Sequence, residues 1–129
     1  MQVSVPVQAN EVENRRARGI ARLAELGDEP GGEEFLARLG DLGDLTVDFV
    51  FGDVHSRPGL GVRERELVIV GVLTALGGLE PQVRAHIRAA REAGVTEEEL
   101  EETLIQVAPY AGFPRAIIGL TLLREEQGR

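Results

Sequence analysis

The chain has 129 residues, of which 22 are acidic and 14 basic, and this gives a formal net charge of −8. It contains no cysteine, so disulfides, thiol nucleophiles, CxxC redox chemistry, thiolate zinc sites and iron–sulfur clusters are excluded. Lysine is also absent, which excludes Schiff-base chemistry and a lysine general base. Length and composition indicate one globular domain.

The charge balance argues against nucleic acid as a partner, because phosphate binding needs concentrated positive charge and here arginines alternate with glutamates. No apolar run approaches the roughly 20 residues that span a bilayer. Residues 1–14 lack the basic start and apolar centre of a signal peptide. We therefore expect no membrane association and a cytoplasmic location.

The first third of the chain predicts two helices separated by breaks. Residues 1–9 are expected to form a short N-terminal tail. Apolar residues at helical spacing predict an amphipathic helix over 10–26. Glycine and proline within 27–32 predict a loop. A short helix is expected over 33–39, and the glycine within 41–45 predicts another break in helical structure.

The middle of the chain predicts a third helix, a turn and a long apolar helix. The segment 46–56 alternates loosely, but we interpret it as helix because no partner strand is visible. Pro58 and Gly59 predict a turn over 56–60. The helix over 63–78 is apolar around nearly its whole circumference, which indicates either a buried central helix or one shared with another subunit.

The last third predicts three more helices. The first covers 80–93, with its apolar residues on one face and its arginines on another. Thr96 and Glu99 form a capping box that starts the next helix, which should end at Pro109. The last helix is expected over 115–126. The sum is an all-α single domain of six to seven helices, with no strand.

The order of these motifs resembles the carboxymuconolactone decarboxylase family. The segments that carry the likeness follow one another along almost the whole chain: NRRARGIARLAELGDE (14–29), GDVHSRPGL (52–60), the apolar helix after RERELV (63–68), RAHIRAAREAGVTEEELEETLIQ (84–106) and YAGFPRA (110–116). Their combination is far more specific than any one of them. The family-like helical domain would cover 10–129.

The resemblance implies a small all-α fold assembled into homotrimers or homohexamers, with pockets at or near subunit contacts. It implies removal of CO2 from a carboxylated unsaturated lactone in the β-ketoadipate pathway of aromatic-acid catabolism, with no metal and no organic cofactor. A second branch resembles the alkylhydroperoxidase D proteins and reduces peroxides with a CxxC pair. Without cysteine, that thiol chemistry does not carry over.

Such a decarboxylation needs a cation for the substrate carboxylate, a desolvated pocket and a proton donor for the carbon left behind. Arg57 matches the arginine of the family's RPGL turn and would bind the carboxylate. The alternative is a surface arginine that caps the preceding helix. Tyr110, in YAG, would donate a hydrogen bond to a substrate oxygen or only anchor the turn after Pro109.

The resemblance makes His86 and Glu102 catalytic candidates. His86 matches the family's helix histidine, and the unperturbed pKa of histidine, about 6.5, suits proton transfer, whereas a satisfied interior histidine is the alternative. Glu102 aligns with a family glutamate and would orient His86 or raise its pKa. The alternative is that Glu102 is only another solvent-exposed glutamate of the acidic run, with no catalytic role.

Two positions depart from the family pattern and bear on the substrate. His55 stands where tryptophan usually precedes the RPGL turn, so it is either a third catalytic candidate, a sign of a different substrate or a surface replacement. Glu66 stands where a small hydroxyl residue is common and adds a negative charge near the start of the long apolar helix. These departures leave two other functions open: isomerisation or cyclisation of an acidic intermediate, and non-catalytic binding by an oligomer.

Overall fold

A computed structural model describes residues 7–29 and 32–127, with the side chains of 7–10 left aside. All the regular secondary structure of these residues is helical, and none of them forms a strand, as the all-α prediction requires. None of the described helices is long and apolar enough to cross a membrane. Backbone contacts divide the chain into two compact units, and the boundary between Gly59 and Leu60 falls in the predicted turn.

The first unit contains three α-helices and a π-helical segment. They are α1 (Val7–Glu25), α2 (Gly32–Ala37), α3 (Asp41–Leu45) and the π segment (Thr46–Val54). The predicted first two helices are confirmed. Helix α1 begins three residues before the predicted start, and residues 1–6 of the predicted tail lie outside the described part of the chain, as do residues 30–31 of the predicted loop.

The prediction of a break over 41–45 is wrong, because these residues form α3. The chain breaks one residue earlier, at Gly40, whose φ of +60° favours glycine. Gly43 serves packing instead, since a Cβ there would lie 1.7 Å from the carbonyl oxygen of Leu36. Its missing side chain lets α3 pack directly on the end of α2.

The π segment packs closely along α1, and two glycines permit the approach. A Cβ at Gly19 would lie 2.1 Å from the carbonyl oxygen of Val47. A Cβ at Gly52 would lie 2.3 Å from the carbonyl oxygen of Arg15. The helical prediction for 46–56 is therefore confirmed, while the wider π geometry, rare in proteins, was not expected.

The second unit contains four α-helices around one apolar core. They are α4 (Val62–Leu76), α5 (Glu80–Glu92), α6 (Glu97–Ala111) and α7 (Phe113–Glu126). The fully buried centre of the core takes residues from all four helices and the loop before α6: Val70, Val83, Ile87, Ala90, Val95, Leu100, Leu104, Leu122 and Leu123. All four predicted helices are confirmed.

The ends of α6 agree only in part with the prediction. The capping box is confirmed, since Glu99 N–H donates to Thr96 Oγ1 (3.1 Å) and Thr96 N–H donates to Glu99 Oε1 (2.9 Å). The expected end at Pro109 is wrong, because the helix continues through it to Ala111. Gly112, with a φ of +99°, makes the actual break.

In the structure, helix α4 has one buried face and one exposed face, so it is not buried around its whole circumference. Glu66, Val70 and Thr74 are buried at a spacing of four residues, whereas Val68 and Val72 remain half exposed. The alternative of a helix wholly buried within this chain is therefore wrong. A face shared with another subunit stays a prediction.

Candidate functional site

A buried histidine–carboxylate pair joins α4 and α5. Nδ1 of His86 lies 2.8 Å from Oε1 of Glu66, and the two residues are 7% and 0% exposed. An ionised carboxylate only accepts hydrogen bonds, so beside an ionised Glu66 the proton of a neutral His86 ring resides on Nδ1. Nε2 then carries the lone pair that can take a proton and give it back.

The helices around this pair explain its position. On α5, Val83, Ile87 and Ala90 face the core. His86 lies three residues after Val83 and four before Ala90, so it is buried on the same side of the helix. On α4, Glu66 precedes Val70 by one turn and shares its buried face. Because water is excluded there, the hydrogen bond between the two side chains is stronger than one at the surface.

The carboxylate that bonds Nδ1 of His86 is Glu66, and not Glu102 as the family resemblance led us to expect. Glu102 is exposed on α6, where it lines an open apolar groove between α4 and α6. The four-residue spacing of Glu66 and Val70 is the signal that places Glu66 on the core face. That signal is present in the sequence, but we interpreted Glu66 only as an added charge.

His55 lies in the first unit, at the end of the π segment, and is 2% exposed. Arg22 of α1 donates to its Nδ1 at 3.0 Å and also to its backbone carbonyl. An arginine only donates, so Nδ1 of His55 is an acceptor and a neutral ring carries its proton on Nε2. The Phe51 ring lies beside the imidazole, with centroids 5.6 Å apart. The alternative of a surface replacement at this position is therefore wrong.

The two predicted binding residues lie at the surface. Arg57 is exposed in the turn after the π segment, and its backbone N–H donates to the carbonyl of Val54. Tyr110 is 87% exposed in the last turn of α6. Arg57 and His55 belong to the first unit, whereas His86, Glu102 and Tyr110 belong to the second.

The acidic start of α6 is neutralised by arginines as well as by the helix dipole. Arg63 of α4 donates to Glu99, and this bond, followed by the capping bond from Thr96, lowers the pKa of Glu99 to about 2. Arg91 of α5 donates to Glu97 and lowers the pKa of that carboxyl. The acidic start of α6 is thus compensated locally by ion pairs that join the helices of the second unit.

Together these observations describe a small, all-helical, cysteine-free protein with a hydrogen-bonded histidine and glutamate buried in its second unit. No cluster of three or more potential metal ligands occurs within residues 11–29 and 32–127. The carboxymuconolactone decarboxylase family matches residues 40–125. The chain belongs to this family.

The chain is similar to three proteins. The 4-carboxymuconolactone decarboxylase of Acinetobacter baylyi is 36% identical over 121 residues, which cover 88% of this chain and 87% of that protein. An uncharacterised 15.0 kDa protein of Paracoccus denitrificans is 40% identical over 53% of this chain and 52% of its own length. The nitrosuccinic acid decarboxylase of Metarhizium robertsii is 32% identical over 57% of this chain and 51% of its own length.

Proposed function

We propose that this protein is a carboxy-lyase that removes CO2 from a small carboxylated unsaturated lactone, as in aromatic-acid catabolism. The observation that carries the proposal is the buried His86–Glu66 pair, in a chain that is similar to a lactone decarboxylase over most of its length. Such a pair supplies the proton that decarboxylation consumes. The reaction would use no metal and no organic cofactor.

The chemistry needs one bond to break and one to form. The carbon–carboxylate bond breaks, CO2 leaves, and the electron pair remains on the ring as a dienolate. The protonated His86 gives its Nε2 proton to the dienolate carbon and becomes neutral. Glu66 stabilises the imidazolium before that transfer, because its carboxylate lies 2.8 Å from Nδ1. A proton from water then restores the starting state.

Substrate binding is assigned by the family resemblance. Arg57 would bind the substrate carboxylate through its planar guanidinium group. Tyr110 would donate a hydrogen bond to a ring oxygen. His55 remains a candidate for a second proton donor, and Glu102 remains a candidate for the carboxylate that sets the protonation of a histidine.

Assembly into a homotrimer or homohexamer is part of the same proposal. Helix α4 leaves Val68, Val72 and Leu76 exposed, and α7 leaves Phe113 and Ile117 exposed. Such rows of exposed apolar side chains are typical of surfaces that another subunit covers.

The direct test mixes the purified protein with 4-carboxymuconolactone and follows substrate absorbance together with released CO2. We expect turnover in the unmodified protein and a loss of about 100-fold or more in His86→Gln, as for removal of a general acid. The matched control is Glu92→Gln, because Glu92 is an exposed glutamate on the same helix. No turnover by folded protein would contradict the proposal.

Isomerisation of an acidic intermediate is the second candidate, and the same pair favours it. A buried histidine beside a carboxylate can take a proton from one carbon and return it to another without loss of CO2. The two reactions differ in products, since only decarboxylation releases CO2. If His86→Gln and Glu66→Gln changed stability and nothing else, the third possibility, a non-catalytic binding protein, would hold instead.

A further inference from the structure

Arg22 of α1 and His55, at the end of the π segment, form a polar contact that the proposed proton transfer at His86 does not use. The His55 side chain is 2% exposed and lies beside the ring of Phe51. A buried histidine acts in one of two ways: it gains and loses a proton, or it stays neutral and donates one fixed hydrogen bond. The groups that bind the ring decide between these two roles.

One nitrogen of the Arg22 guanidinium binds His55 at two atoms. Nη1 lies 3.0 Å from Nδ1 of the imidazole and 2.5 Å from the backbone carbonyl oxygen of the same residue. Every nitrogen of a guanidinium is a donor and none is an acceptor, so Nδ1 must present its lone pair to Arg22. The position that a second proton would take on the ring is therefore already used by this hydrogen bond.

Arg22 is anchored for this contact by bonds that do not involve the imidazole. Its Nε lies 3.0 Å from a carboxylate oxygen of Glu25, three residues later on α1. The carbonyl of His55 follows the last turn of the π segment, where carbonyl groups have no acceptor bond within the helix, and Arg22 supplies the missing donor. The guanidinium is thus placed at Nδ1 by its own helix and by the backbone of the π segment.

The same contacts fix the direction of the ring. Because one nitrogen binds both Nδ1 and the carbonyl oxygen, the Nδ1 edge of the imidazole lies on the side of its own carbonyl group. The backbone N–H of His55 is also fixed, since it donates to the carbonyl of Val50 at 2.8 Å. Nε2 therefore points away from Arg22, in one direction.

We infer that Arg22 is a positioning residue that holds His55 as a neutral imidazole with its proton on Nε2. His55 then donates a fixed hydrogen bond to an oxygen acceptor and is not the second proton donor. The two histidines are in opposite tautomers, since a neutral His86 carries its proton on Nδ1 beside Glu66. That proton transfer belongs to His86 alone rests on the proposed function, whereas the tautomer of His55 does not.

The two tautomers can be observed directly, because the chain contains two histidines. The full chain is labelled with ¹⁵N-histidine, and the shifts of the ring nitrogens are recorded at neutral pH. A ring nitrogen that bears a proton resonates far from one that bears a lone pair, and His55→Gln and His86→Gln each remove one ring and so assign the spectrum. We expect His55 to have a bare Nδ1 and a protonated Nε2. A proton on Nδ1 of His55 in the unmodified protein overturns the inference.

Removal of the donor tests the role of Arg22. Arg22→Met keeps a long unbranched side chain but donates no hydrogen bond, so we expect the Nδ1 resonance of His55 to shift. The matched control is Arg18→Met, because Arg18 lies one turn earlier on α1 and donates to the carbonyl of Gly52 in the π segment instead of to a histidine. It should leave both rings unchanged. If Arg22→Met leaves the His55 ring unchanged, or if Arg18→Met shifts it equally, Arg22 does not position the ring.

Turnover of the lactone distinguishes a hydrogen-bond donor from a proton donor. His55→Gln retains an N–H donor but cannot transfer a proton, whereas His55→Leu retains neither ability. We expect His55→Leu to lower turnover by about tenfold, as for the loss of one hydrogen bond, and His55→Gln to lower it by less. Equal losses of about 100-fold in both variants would make His55 a general acid and overturn the inference. If the unmodified protein shows no turnover, the proposed function fails, and the ¹⁵N spectrum alone decides the inference.

Discussion

Glu66 and His86 face each other from neighbouring helices, with the completely buried carboxylate 2.8 Å from Nδ1 of the imidazole. A charged group placed this deep is costly unless it is bonded, so the histidine and the glutamate depend on each other. The pair therefore contributes both to the stability of the second unit and to the proton transfer that we propose for it.

The first prediction concerns this mutual dependence. Glu66→Gln and His86→Gln should each lower the free energy of unfolding by about 1.5–3 kcal/mol, because each alters a buried hydrogen bond of a charged group. The double variant should lose less than the sum, by a coupling energy of about 1–3 kcal/mol. Urea denaturation of the unmodified protein, the two single variants and the double variant measures this coupling energy. Additive effects would show that the two side chains do not support each other.

The fold was predictable wherever a local pattern decides it. The apolar spacing of α5 and the Thr96–Glu99 capping box each specify a helix without reference to the rest of the chain. Gly43 was misinterpreted because its effect depends on a tertiary neighbour, and Pro109 because a proline two residues before the helix end removes one backbone hydrogen bond without ending the helix. Gly43 sits in α3 because the carbonyl of Leu36 packs against it, and Pro109 is tolerated inside α6.

The site was predictable only in part, for a similar reason. His86 was found from the motif, and its helical neighbours confirm that it points inward. Its partner Glu66 lies 20 residues earlier on another helix, and sequence spacing does not reveal a contact of that kind. The bond from Arg22 to the buried His55 was missed because it joins residues 33 positions apart.

The second prediction concerns acid stability. The bond from Arg63 holds the pKa of Glu99 at about 2, below the ordinary glutamate value of 4.5. A folded-state pKa that is lowered stabilises the protein above the unfolded value, and this contribution is lost as the pH falls from 4.5 through about 2. We expect Glu99→Gln to be less stable than the unmodified protein at neutral pH, with the difference shrinking across that range.

Urea midpoints measured from pH 7 to pH 2 test this dependence. Because the Glu99 side chain is partly exposed to solvent, added salt should reduce the difference at neutral pH. Glu98→Gln is the matched control, as Glu98 is exposed in the same turn. If the stability of Glu99→Gln changes with pH in parallel with that of the unmodified protein, the pKa of Glu99 is not lowered by the bond from Arg63.

The third prediction is that Thr74→Val stabilises the protein. Valine has the same shape as threonine, and the buried hydroxyl has no partner among the described residues. Its removal should raise the free energy of unfolding by about 1–3 kcal/mol. Thermal unfolding of Thr74→Val and of the unmodified protein measures the difference. A lower melting temperature would mean that the hydroxyl is satisfied in solution by an ordered water.

The fourth prediction tests the close approach of α1 and the π segment. In Gly19→Ala the added Cβ would lie 2.1 Å from the carbonyl oxygen of Val47, a contact that only a shift of the backbone can relieve. We expect a loss of about 3 kcal/mol or more in the free energy of unfolding. Gly59→Ala is the control, since nothing lies within 4 Å of its added Cβ, and it should change stability by less than about 0.5 kcal/mol. Equal stabilities for the two variants in urea would show that α1 and the π segment do not pack this closely, and the burial of His55 against Arg22 would then need another explanation.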